Sequence, residues 1–311
     1  MSKKDPKTVE REEHAGTIRY WRVPTEELVA QQPADYVATG FEQYLEKKLF
    51  GSPLLIKGPK GAGKTISIEK VLADREICMI RHPCTEDDTA RHLFGSRRLD
   101  GDFQLGPVTA AIDVANQEGA CALVLEEMNA LSPRTQKALN SLTDYRREVQ
   151  LAGIGKTFRL KPDAQIWVVG TANPNYAGTY DLNEDLVSRF TMVTVGYMAE
   201  ALEIEVLTKS FERTMDRSAG PKDRVALKRL VELATYSRNG SLRYGISTRD
   251  LVTVVQSWAD LGSLPLALRE LEGKFDSTSL PDFRARVQST FEIDLATVKL
   301  WHGEADPTPA P

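Results

Sequence analysis

The segment "GPKGAGKT" at residues 58–65 lies directly behind the apolar run "PLLI" and directly ahead of "ISIEK". It fits the pattern G-x-x-x-x-G-K-[ST], a demanding match for a short stretch of chain. Glycines 58, 61 and 63 permit a tight turn whose backbone N–H groups face phosphate oxygens. A helix opening near Lys64 adds the positive end of its dipole. The candidate nucleotide-binding residues are therefore Gly58, Pro59, Lys60, Gly61, Ala62, Gly63, Lys64, Thr65 and Ile66. Lys64 is placed to reach the β and γ phosphates of ATP, and the Thr65 hydroxyl to hold Mg²⁺. A strand that feeds such a loop and a helix that leaves it require an α/β domain.

The remainder of the chain agrees with that requirement. Strand candidates recur at "SPLLIKG", "ICMIRHP", "CALVLEE", "AQIWVVGTAN" and "FTMVTVGY", with helical patterns between most of them. The expected fold is a parallel sheet wrapped by helices. Residues 1–33 read as an N-terminal extension with a short strand at "TIRYWRV", and a helix is expected over 36–49. The α/β core is expected over 34–198. From residue 199 to 302 the pattern is helical only, at "EALEIEVLTKSFERTM", "KDRVALKRLVELATYSR", "STRDLVTVVQSWADL" and a less regular tail. This predicts a smaller all-α lid domain, followed by a Pro-rich tail at 303–311.

Composition narrows the function classes. At 311 residues, 41% hydrophobic and 27% charged, the chain is long and apolar enough to bury a sizeable core. A net charge of −4 gives no global attraction to nucleic acid or anionic lipid. The basic start, Lys3, Lys4 and Lys7, is diluted by "EREE" and reads as a solvated arm. Three cysteines, Cys78, Cys84 and Cys121, lack C-x-x-C spacing, which argues against a disulfide framework or zinc site. His82 and Cys84 in "RHPC" have no further ligand nearby and read as packing, while His14, His92 and His302 are isolated. The absence of a long apolar run excludes a spanning helix, and a cytoplasmic location is expected.

A second motif, "CALVLEEMN" at 121–129, ends an apolar strand in two adjacent carboxylates. That position is the C-terminal edge of a parallel sheet, where ligands collect. Glu126 is the candidate Mg²⁺-orienting group, and Glu127 the candidate that polarises an attacking water.

With these motifs in order, the chain resembles the AAA+ ATPases, and among them the MoxR-type group that includes the CbbQ, NorQ and GvpN proteins. The resemblance runs from about residue 50 to 255. "GPKGAGKT" resembles the group's Walker A, and "LVLEEMNALSPRTQKALNSLTDYRRE" its Walker B with the helix beyond. "WVVGTANPNYAGTYDLNEDLVSRF" resembles its sensor 1 segment running into an arginine-finger helix, and "ISTRDLV" falls where sensor 2 lies. The resemblance implies roles for Asn173 as sensor 1, Arg189 as a finger inserted into a neighbouring subunit, and Arg249 as sensor 2. Each has a plain alternative: a turn-forming Asn before Pro174, a helix-terminal Arg, a solvated Arg near a helix start. One departure stands out, since Glu126 occupies a position where Asp is usual.

Two insertions read as hairpins, "FGSRRLDGDFQLGPV" at 94–108 and "EVQLAGIGKTFRL" at 148–160. In the MoxR-type group such hairpins face a ring's central pore, so Arg97, Arg98, Phe103 and Lys156 are candidate contacts with a substrate or partner; otherwise they are solvated turn residues. The resemblance implies an ATP-hydrolysing homo-oligomer, a hexameric ring that remodels a protein partner, commonly one with a von Willebrand factor A domain. Two other classes remain open: a nucleic-acid motor or restriction-type NTPase, and a nucleotide-gated assembly module with little hydrolysis.

Overall fold

The computed structural model describes residues 21–34, 36–97, 99, 101–143, 148–152, 155–174 and 178–300. Lys3, Lys4, Lys7, His14, Arg98, His302 and the tail at 303–311, with the expectations placed on them, lie outside the described residues.

The chain divides into an α/β unit, which holds Gly40–Pro59 and Gly63–Gly196 together with the residues before Pro33, and a mainly helical unit, which holds the chain from Tyr197 together with Pro33–Thr39 and Lys60–Ala62. In the first, β1 (Arg22–Val23), α1 (Thr25–Gln31) and α2 (Phe41–Lys48) precede β2 (Leu54–Lys57) and α3 (Lys64–Asp74). Next come β3 (Met79–Pro83), the short α4 (Ala90–Phe94), the hairpin β4 (Gly95–Arg97) and β5 (Phe103–Leu105), and α5 (Pro107–Glu118). Then β6 (Ala120–Glu126), α6 (Pro133–Ala138), the hairpin β7 (Glu148–Leu151) and β8 (Lys156–Arg159), β9 (Gln165–Ala172), α7 (Glu184–Val187) and β10 (Thr191–Thr194) complete it.

The main sheet runs β1-β3-β6-β9-β2-β10 and is parallel except for β1, which pairs antiparallel with β3. All five strand candidates form. Both faces of the sheet are buried, so its strands read as continuous apolar runs rather than alternating ones. Successive residues nevertheless serve different cores, as the two-residue period of a strand demands. Leu54, Ile56, Ala122, Val124, Trp167 and Val169 pack on the side that holds Leu28 of α1, Leu45 of α2 and Ile68 of α3. Leu55, Leu123, Leu125 and Val168 pack on the side that holds Val108 and Ile112 of α5.

Three expectations change. Residues 22–31, read as an extension, belong to this unit: β1 is an edge strand of the sheet, and Leu28 is fully buried in its core. The helix expected over 36–49 begins only at Phe41, behind Gly40 at φ 84°. Phe103, expected as an exposed pore residue, is buried, because its ring packs on Phe158 with centroids 5.6 Å apart. Both hairpins do form, and Lys156 places its ammonium 4.9 Å from the Phe103 ring centre. Arg97 is exposed.

The helical unit comprises α8 (Glu200–Met215), α9 (Pro221–Tyr236), α10 (Thr248–Leu261), α11 (Leu264–Glu272) and α12 (Leu280–Phe291). The tail expected to be less regular thus holds two helices. Leu207, Phe211, Leu230, Leu251, Val255, Phe283 and Val287 are among its core residues. Inside it, Glu203 is fully buried and accepts two hydrogen bonds from Arg238, at 2.8 and 2.7 Å, and one from Thr248 at 2.5 Å. Arg238 also donates to the Ile246 carbonyl at 2.7 Å and stacks 3.9 Å over the Tyr197 ring.

A buried pair loses most when one partner is deleted, because the other charge is then stranded. Glu203→Ala should therefore cost about 3–5 kcal/mol, read as a lowered urea midpoint. A loss under about 1 kcal/mol would place Arg238 in water after the substitution.

Candidate functional site

Parallel strands deliver their C-terminal ends to one edge, and three of those ends build the site. β2 runs into the loop at 58–63, β6 ends at Glu126, and β9 ends one residue before Asn173. Gly58 leaves β2 with its N–H donated to the Ala172 carbonyl at 3.1 Å. A side chain there would place its Cβ 2.4 Å from the Val195 carbonyl oxygen, so glycine is required by close backbone approach. Gly63 caps α3 at φ 84°, the left-handed region.

Lys64 opens α3 and is buried, a position that an ammonium tolerates only with hydrogen-bond partners. It donates to the carbonyls of Gly58 and Pro59 at 2.9 and 2.8 Å and to Asn173 Oδ1 at 2.7 Å. Asn173 then donates through Nδ2 to Glu127 Oε1 at 3.0 Å. One amide thus joins the P-loop lysine to the second carboxylate of β6. Asn129 holds the Asn173 backbone from both sides, donating to its carbonyl at 2.8 Å and accepting its N–H at 3.3 Å.

Glu127 adopts φ 55°, ψ 43°, an uncommon conformation for a residue with a side chain. Its N–H is tied to Thr171 Oγ1 at 3.1 Å. This kink turns the carboxylate out of the strand line, and Glu127 is exposed. Glu126 stays in register and accepts a hydrogen bond from Thr65 Oγ1 at 2.9 Å. Hydroxyl and carboxylate oxygens are the hard donors that Mg²⁺ takes, so these two residues fit the ion. Among the described residues, no group of three or more His, Cys, Asp or Glu side chains is arranged to hold a metal. The remaining ligands would come from nucleotide phosphates and water.

Two residues that the sequence did not single out complete this corner. Arg81 of β3 forks onto Glu126, Nε to Oε2 at 3.0 Å and Nη2 to Oε1 at 3.2 Å, and donates from Nη1 to Glu69 at 3.3 Å. Burial pushes the Glu69 carboxyl above its ordinary range, against the pull of Arg81, and Glu126 adds to the rise. The available signal was a charged residue inside the apolar strand "CMIRHP". His82 Nε2 lies 3.0 Å from Asp88 Oδ2, and the buried Cys84 thiol is pushed up by burial, with Asp88, Glu126 and Glu127 adding to it.

Arg189 lies just beyond α7 and is exposed; among the described residues no hydrogen bond or ion pair of its guanidinium is seen. Arg249 is the second residue of α10 and is also exposed. Its helix starts with a reciprocal cap in which Ser247 N–H donates to Asp250 Oδ2 at 2.8 Å.

Residues 53–190 match the AAA domain of the dynein-related subfamily. The chain is 31% identical over 251 residues to CbbQ of Hydrogenophilus thermoluteolus, covering 78% of this chain and 88% of that protein. It is 30% identical over 223 residues to the uncharacterised YojN of Bacillus subtilis, covering 66% of this chain and 68% of that one. The crystal structure of NtrX from Brucella abortus, in complex with ADP, superposes with a TM-score of 0.50 at 17% identity, covering 82% of this chain and 55% of that chain. That likeness supports the fold. Fold and site together define a P-loop AAA+ protein. The chain belongs to the MoxR-like AAA+ ATPases, the family of CbbQ.

Gly58→Ala tests the tightest point of the site. Overpacking of this kind costs typically about 1–3 kcal/mol, and here it moves a carbonyl that Lys64 uses. Nucleotide affinity should fall by at least about tenfold, a loss of about 1.4 kcal/mol, by fluorescence titration. Wild-type affinity would show that β2 and β10 separate without disturbing the loop.

Proposed function

We propose that this chain is a Mg²⁺-dependent ATPase that assembles into a ring, a hexamer by analogy with its family, and remodels or activates a protein partner. The observation that carries the reading is the Lys64–Asn173–Glu127 chain beside the Thr65–Glu126 pair. It puts a cation, a neutral amide, a base and a hydroxyl–carboxylate pair at one sheet edge. Lys64 offsets charge on the β and γ phosphates, and Glu127 accepts a proton from the attacking water. Asn173 keeps that carboxylate oriented. Mg²⁺, held with the help of Thr65 and Glu126, supplies further charge neutralisation to the phosphates.

Arg189 completes the site in trans under this reading. Its exposure fits a guanidinium offered to a neighbouring copy, where it offsets charge developing on the transferred phosphoryl. A partner carrying a von Willebrand factor A domain is the first to test. A net charge of −4 favours a protein partner over nucleic acid.

Lys64→Ala should lose nucleotide binding, whereas Glu127→Gln should keep it and lose about 10²–10⁴-fold in turnover, the range for a general base. Equal affinity of Lys64→Ala and wild type would sink the assignment.

Assembly has its own test. Arg189→Ala should lose about 10³–10⁵-fold in turnover, the scale of an arginine finger. Mixed with Lys64→Ala, it should regain part of the activity, because some interfaces then join an intact pocket to an intact finger. Full activity of Arg189→Ala at every protein concentration, or no recovery in mixtures shown by size to co-assemble, would remove the trans role.

A further inference from the structure

Glu126 carries one more methylene than the Asp usual at this position. An extra rotatable bond spreads the carboxylate over more positions, and the octahedral shell of Mg²⁺ tolerates little displacement. Arg81 answers both problems. The pairing of β3 with β6 sets Arg81 beside Val124 and Pro83 beside Glu126, so Arg81 and Glu126 stand on one face of the sheet, two residues apart along it. The guanidinium reaches across that gap and binds both carboxylate oxygens, at 3.0 and 3.2 Å. This fork fixes the plane as well as the place of the carboxylate, which a lysine ammonium cannot do.

The other side of the arrangement comes from α3. Thr65 and Glu69 are four residues apart and share a helix face. Thr65 donates to Glu126 Oε1 at 2.9 Å, and Glu69 takes the remaining arm of Arg81 at 3.3 Å. The Glu126 and Glu69 side chains are each 14% exposed against 41% for Arg81, so the carboxylates are the more screened partners. With Glu69 present, a cation approaching Glu126 does not meet an uncompensated guanidinium.

We infer that Arg81 is a positioning residue that fixes the Glu126 carboxylate where a shorter aspartate would stand, so that glutamate can orient the Mg²⁺ of the bound nucleotide. This rests on the nucleotide-site reading above. Removing a group that orients a metal's carboxylate commonly costs about 10–100-fold in metal affinity.

The test measures the dissociation constant of a fluorescent, non-hydrolysable ATP analogue with EDTA and with saturating Mg²⁺, in full-length wild type, Arg81→Gln and Arg81→Lys. In wild type Mg²⁺ should tighten binding. In both variants the ratio of the two constants should fall about tenfold while the Mg²⁺-free constant stays put. Arg81→Lys keeps the charge and the stem, so it carries the test if Arg81→Gln does not fold. The same pair of measurements in the Glu126→Asp background should show little further effect of Arg81→Gln, since the fork has no long carboxylate to fix. A wild-type ratio in the Arg81 variants overturns the inference, as does a ratio that rises or an equal loss in the Glu126→Asp background. If wild type itself binds the analogue without any response to Mg²⁺, the metal-site reading falls and this inference with it; if wild type does not bind the analogue at all, the nucleotide site falls first.

Discussion

The buried ammonium of Lys64 is the constraint around which the α/β unit is arranged. A charge removed from water must be met by hydrogen bonds, and here they come from Gly58, Pro59 and Asn173, on either side of a strand boundary. Meeting them requires β2 and β9 to be neighbours in parallel register, with Lys57 opposite Ala172. The same register carries Asn173 to the place where it can touch Glu127 at the end of β6. The sheet order therefore decides the chemistry, because it chooses which strand ends meet.

Around that centre the carboxylates of Glu126 and Glu127 stand in separate surroundings although they are adjacent in sequence. Glu126 continues the strand and lies half-buried between Thr65 and Arg81. Glu127 leaves the strand through a left-handed backbone conformation held by Thr171. Strain of this kind persists only where neighbours over-determine it, and here Thr171 holds the Glu127 N–H while Asn173 holds its carboxylate. Glu126 thus lies against Thr65 and Arg81, and Glu127 is exposed.

The helical unit depends on a different polar device. Glu203, Arg238 and Thr248 tie α8, the segment just after α9 and the start of α10 together inside an apolar core. Next to Thr248, the Ser247–Asp250 cap fixes the first turn of α10, from which Arg249 projects. Asp250 is raised by burial but held below its ordinary range by Lys274, Ser247 and Tyr244. Its contribution to stability is present above the ordinary aspartate range and fades as pH falls through the lowered value.

Local pattern determined much of this protein. A glycine-rich loop between an apolar run and a helix, five buried strands, two hairpins and a purely helical C-terminal region were all legible, because backbone preference and hydrophobic period are properties of short segments. Lys64, Thr65, Glu126 and Glu127 were singled out as candidates by motifs of a few residues each, and Asn173 by the resemblance of its segment to sensor 1. Tertiary structure alone decided the rest. It made the strand expected near residues 22–23 an edge of the main sheet and buried Leu28 in its core, where the sequence offered only an extension. It turned Phe103 inward, since a hairpin side chain faces whatever its partner hairpin offers, here Phe158. It also brought Arg81 and Glu69 to Glu126, a meeting set by the pairing of β3 with β6 and by the face that α3 presents. Distances between elements depend on how strands are ordered across a sheet, and that order is written in no single segment of the chain.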